Sequence, residues 1–198
     1  QIHAVDVDIA AQRWRRIDIN GSPHPHAFEK EHGERTAKVQ RRRDGNGSEV
    51  TVSGGVSGME ILKSSGSGFN GFYKDEYTTL PETDDRILAT TVNASWRYLP
   101  GTDSAATDVG GAWDTIHDTI ARVFAEHDSP SLQATLWEMG KAVLSAVPAV
   151  ESISFSMPNQ HHILFDLDKL GLDNPNEIFY GTDSPSGIIT GTVSRGKA

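Results

Sequence analysis

Two amphipathic stretches follow one another in the middle of the chain, with β-type sequence on either side. That order constrains the fold more than any other feature. In AWDTIHDTIARVFAEH (112–127), Trp113, Ile116, Ile120, Val123 and Phe124 share one helical stripe. In SPSLQATLWEMGKAVLSAV (129–147), Leu132, Leu136, Met139, Val143 and Val147 do the same. Ser129 suits the N-cap of this second helix, Pro130 its first position and Pro148 its stop.

Before the helices, TAKVQRRR and SEVTVSGGVSGMEILK flank an Asp-Gly-Asn-Gly corner at 44–47, a strong hairpin signal. RILATTVNASWRYL then places Val92, Ala94 and Trp96 on one face of a strand. After the helices, ESISFSM, HILFDL and GIITGTV read as strands separated by polar turns. Strands, then two helices, then strands again, with ββααββ as the unit, predict an α+β domain: an antiparallel sheet with both helices on one face. Val5, Val7 and Ile9 alternate with Asp6 and Asp8, as in a strand with one buried face. Residues 18–35 are polar and turn-rich and read as a connection, with His24 and His26 in an exposed loop. Residues 64–85 form a long irregular segment whose four aromatics argue against disorder and for a functional loop.

Composition removes several classes of chemistry. A net charge of −9 on 198 residues argues against a general nucleic-acid binder, which needs a basic face. The chain has no cysteine, so disulfides, thiolate metal sites and cysteine nucleophiles are excluded. No apolar stretch is long enough to span a bilayer as a helix. Adjacent His161 and His162 would point to opposite faces of a strand, a poor arrangement for one metal ion, and no HExxH spacing is present. GxSxG, Walker-type and strand-to-helix GxGxxG motifs are also missing.

What remains is a set able to hold a flat polar ring. Phe69 offers a π-face, and Arg86 a planar fork for a carbonyl and ring nitrogen or an anion. Gln133 lies in the first turn of a helix and carries an amide that both donates and accepts. Asn159 and His161 come from the run PNQHH, whose proline is expected to end the preceding strand. Two residues apart, they are expected to project the same way, with Gln160 and His162 structural on the other face. Taken singly, each also suits an ordinary role as loop anchor, surface charge, capping support or turn residue.

The stretches GFYKDEYTTLPETDDRILAT, SLQATLWEMG, MPNQHHILFDL and DNPNEIFYGTDSPSGIITGTV together resemble the C-terminal portion of urate oxidases (uricases). The likeness is co-linear from about residue 12 to the end and includes WRRI and HPHAF. It implies a tunnelling fold (T-fold), in which each subunit carries two ββααββ units. Residues 1–35 would be the final strand and connection of the first unit, and 36–198 the second. Four subunits stack into a barrel with shared active sites.

The implied reaction converts urate, O2 and water to 5-hydroxyisourate and H2O2 with no metal or organic cofactor. The resemblance assigns Phe69 to stacking, Arg86 and Gln133 to the two polar edges of the purine, and the Leu132 backbone N–H to a substrate contact. It assigns Asn159 to holding O2 or water, and His161 to a proton relay. That relay also needs a Lys and a Thr, with an adjacent Asp on the substrate, and this sequence has no counterpart of them. A companion N-terminal segment is therefore expected. The alternatives are an inactive urate-binding fragment and another purine- or pterin-binding T-fold enzyme. The ending SRGKA lacks the Ser-Lys-Leu address, which favours a bacterial cytoplasmic setting over a peroxisomal one.

Overall fold

Asn20 and Gly21 both take positive φ, 54° and 82°, the two-residue geometry that folds one strand back on the next. In the computed structural model this turn joins β1 (Ala4–Ile19) to β2 (Ser22–Asp44). Their pairing runs from Ala4↔Arg42 to Ile19↔Ser22. The structure describes residues 2–44, 47–102, 108–183 and 186–196. Most of the stretch expected as a connection is therefore strand, and His24 and His26 lie exposed within β2 rather than in a loop. Its prolines fit because β2 pairs with the following strand only from Glu34 onward. Over residues 22–33 it has one partner, so a missing N–H on the open side breaks nothing.

Asp44 pairs with Gly47, so the second hairpin forms where expected and leads into β3 (Gly47–Lys63). The corner itself, at 45–46, lies outside the described residues. Then come β4 (Leu88–Tyr98), α1 (Val109–Glu126), α2 (Leu132–Ala146), β5 (Val150–Gln160) and β6 (Ser186–Ser194). All six strands form one antiparallel sheet in the order β1-β2-β3-β4-β5-β6. The ββααββ order is complete in β3 to β6 with the two helices. The 35/36 division expected from sequence falls inside β2.

The helices cover only part of this sheet. α1 packs on α2 and β3, and α2 packs on β5 and β6. Val92, Ile116, Ile120, Met139, Val143 and Ile153 are completely buried between the layers. Burial follows the helical stripes and the even-numbered positions of β4, as the sequence predicts. Close approach is built in at Gly54, which sits opposite Trp96. A Cβ there would come within 2.6 Å of the indole Nε1. Among the described residues the first part of β1 has no such cover, and only further along does Arg13 lie over the Trp113 ring of α1. Val5, Val7 and Ile9 are each more than two-fifths exposed, so the one-face-buried expectation fails for this strand.

Three local expectations are corrected. The N-cap of α2 is Ser131, not Ser129: its Oγ accepts from Ala134 N at 3.1 Å, and the helix starts at Leu132. Ser129 is buried just before it, accepting from Thr135 Oγ1 and donating to Ser131 O. HILFDL is not a strand but one side of an irregular excursion, with a single bridge at Leu164↔Phe179. Asn174 satisfies it by donating to Phe165 O and Ile178 O. Pro158 does not end β5, which continues to Gln160 in unbroken register with β6. The absent proline N–H shows on the other side, where the β4 ladder passes from Asn93↔Ser156 directly to Ala89↔Gln160.

Candidate functional site

The 64–87 loop is irregular but pinned at both ends. Lys63, the last residue of β3, donates to His127 O and lies 6.0 Å from the Phe124 ring centroid, tying the loop's root to the end of α1. Gly68 N donates to Ser129 O at 2.8 Å, and Ser129 N to Gly66 O at 3.0 Å. These two bonds hold the loop against the residues that lead into α2. Phe69 exchanges backbone bonds with Thr83, and Arg86 N donates to Ser67 O at 2.7 Å. The result places Arg86 Cζ 5.3 Å from the Phe69 ring centroid, while Phe72 stacks on Phe69 at 4.8 Å. Both Phe69 and Arg86 are half-buried.

Arg86 carries the main electrostatic feature. Its Nε is buried with no hydrogen-bond partner, and burial pulls the guanidinium below its ordinary pKa. A guanidinium nonetheless stays charged near neutral pH. A cation set against an aromatic face, with an unused inward N–H, is suited to a flat anionic ligand.

Leu132 and Gln133 open α2, where backbone N–H groups have no intrahelical acceptor and the dipole is positive. Leu132 is completely buried, whereas the Gln133 side chain is exposed. Asn159 is half-buried near the end of β5, and the Ala89↔Gln160 pair sets that end beside the start of β4, close after Arg86. His161 lies past the strand end and is exposed. The alternation argument that aligned it with Asn159 therefore does not reach it. Gln160 Nε2 donates to Thr91 Oγ1 at 3.1 Å and the His162 ring meets Phe179 edge-on, so both have structural partners.

The fold thus brings Phe69 and Arg86 into contact and straps their loop to the start of α2, with Asn159 on the adjoining strand. Sequence reasoning missed two groups here. Ser67 Oγ and Thr90 Oγ1 are buried without partners, like Arg86 Nε. No spacing signal marks either one.

The family model described as Uricase matches residues 52–190, which is more than half of the chain. The chain belongs to the uricase family. It is 43% identical over 189 residues to the uricase of Arthrobacter globiformis, covering 94% of this chain and 59% of that protein. It is 39% identical over 201 residues to the uricase of Oryctolagus cuniculus, covering 98% and 65%. The crystal structure of uricase from Arthrobacter globiformis superimposes with a TM-score of 0.85 at 40% identity, over 99% of this chain and 64% of that one. Urate oxidase from Bacillus sp. TB-90, at 22% identity and a TM-score of 0.80, shares the fold over 98% of this chain and 66% of its own. The six-stranded sheet with two helices is accordingly the α+β T-fold of uricases. The chain spans about three fifths to two thirds of the uricases it matches.

Proposed function

We propose that this chain supplies one half of a urate oxidase active site shared between subunits, in which urate, O2 and water give 5-hydroxyisourate and H2O2 without metal or organic cofactor. The observation that carries this reading is the buried, unpartnered Nε of Arg86 beside the Phe69 ring. Urate is flat and anionic near neutral pH. Arg86 grips one polar edge, Gln133 and the Leu132 N–H take the other, and Phe69 covers a face. Asn159 holds O2 or water over the ring, and His161 joins the proton relay. The electron-rich purine reduces O2 itself, so the protein orients the reactants, moves protons and excludes bulk water.

In this reading residues 1–35 close one T-fold unit and 36–198 form the next. The relay Lys and Thr come from a companion N-terminal segment, and the assembly is a homotetramer in a bacterial cytoplasm. Among the described residues no helix is long and apolar enough to cross a membrane. The full protein, its composition verified by intact mass, is expected to consume urate and O2 and release H2O2 in equal amounts without added cofactor. Absence of turnover in that sample would sink the oxidase. Saturable urate binding without turnover would instead favour a urate-binding module, the alternative motivated by the relay residues that this sequence lacks.

Phe69→Ala provides a second check. Losing a stacked aromatic contact worth about 1–2 kcal/mol should raise the KM for urate roughly tenfold. Phe69→Leu, which restores apolar area without the π-face, should fall between. Equal KM values for all three proteins would remove Phe69 from the site.

A further inference from the structure

Among the described residues, the buried side-chain polar atoms without a partner are Ser67 Oγ, Arg86 Nε and Thr90 Oγ1. All three belong to the same end of the molecule, since Ser67 O accepts the Arg86 N–H and Thr90 lies on β4 just after Arg86. Arg86 Nε is accounted for by the ligand proposed above. Thr90 is not. It is 1% exposed, and a buried hydroxyl without a partner is unfavourable, whereas valine would fill the same space at no such cost. A hydroxyl kept in that position calls for a partner that binds there.

The register identifies the neighbour. With Ala89 paired to Gln160 in an antiparallel ladder, the next residues inward are Thr90 and Asn159. Thr90 shares the helix-covered face of β4 with Leu88 and Val92, and Asn159 shares that of β5 with Ile153, Phe155 and Met157. The opposite face confirms the phase, because Gln160 Nε2 donates to Thr91 Oγ1 there. This is also where Pro158 interrupts the β4–β5 ladder, so the strands are not locked by backbone pairs between Ser156 and Gln160. An unpartnered hydroxyl and a carboxamide at facing positions supply two of the partners that a bridging water needs.

We propose that Thr90 is a positioning residue: through one ordered water, its hydroxyl fixes which end of the Asn159 carboxamide is presented to the reactants. The two ends of a carboxamide differ chemically, one accepting and one donating, so an unfixed amide spends part of its time reversed. This rests on the oxidase reading of the same site. The test compares the full protein as wild type, Thr90→Val and Thr90→Ser in steady-state kinetics with urate, alongside thermal midpoints. Thr90→Val should lower kcat about tenfold with the KM for urate within twofold, while its thermal midpoint stays level or rises. Thr90→Ser should keep kcat within about threefold. Should Thr90→Val fold poorly, Thr90→Ala takes its place, and the kcat ratio of serine to alanine variant then decides the question in the same way.

An active wild type with an equally active Thr90→Val protein overturns this proposal alone. Serine and valine variants that are equally slow, with equally lowered midpoints, overturn it in favour of a packing role. A wild type that does not turn over urate overturns the oxidase reading, and this proposal with it.

Discussion

Replacing Arg86 with alanine is expected to weaken urate binding by about 100- to 10,000-fold. Two charge-assisted hydrogen bonds at roughly 1.5–3 kcal/mol each set that scale, with every 1.4 kcal/mol a factor of ten. Arg86→Lys should recover only part of the loss, because an ammonium keeps the charge but not the planar fork. Stability should move little or improve, since the deleted group is half-buried with an unpaired Nε and is already disfavoured by desolvation. His24→Ala serves as the control: that side chain is exposed in β2, and its removal should leave binding within about twofold. Titration calorimetry with urate reads all three. Comparable affinities for the alanine variants at 86 and 24 would remove Arg86 from the binding site.

The largest stability effect is expected at Trp96, far along β4 from Arg86. It is 2% exposed, packed over Gly54, and donates from Nε1 to the Tyr98 hydroxyl at 3.0 Å. Trp96→Ala should lower the unfolding free energy by about 3–5 kcal/mol, most of it cavity and lost transfer energy. That is a large fraction of the roughly 5–15 kcal/mol of a typical domain. Trp96→Phe should cost about 1–3 kcal/mol, because Tyr98 loses its donor while the ring space stays mostly filled. Denaturant midpoints at fixed protein concentration give both values. An alanine variant within about 1 kcal/mol of the parent would mean that this part of the sheet collapses to fill the space, against the packing described above.

The elements that could be read from sequence are those whose periodicity is enforced by burial. The stripes of α1 and α2 and the even positions of β4 are hydrophobic because a second layer covers them, and period alone located them. β2 failed because, among the described residues, no element covers most of its first half: a two-stranded ribbon wet on both faces can carry His, Pro, Glu and Lys without an apolar alternation. The informative signal was the Asn-Gly pair at 20–21, a hairpin turn marker inside a stretch read as linker. The α2 cap shifted from Ser129 to Ser131 because two serines flank one proline, and only the backbone fold selects between them.

The site was legible in its residue types but not in its assembly. Phe69 and Arg86 were singled out for a ring and a fork, and their contact depends on backbone bonds between the loop and Ser129 that no local pattern encodes. Thr90 was invisible for the opposite reason. In a strand its neighbour Thr91 has the same side chain, and only helix cover and the register with β5 make one of them buried and unpaired.

The outer edge of β1 has a consequence for handling rather than for chemistry. Along its far side every second residue of this sixteen-residue strand offers backbone donors and acceptors that no described strand of this chain uses, with Val5, Val7 and Ile9 left bare beside them. Such an edge is a template for any extended segment in the tube, including a second copy of itself. Asp6 and Asp8 work against that, and their guard weakens as salt screens charge. How long a sample of this chain stays clear on the bench is thus expected to depend on its concentration and ionic strength as much as on its melting point.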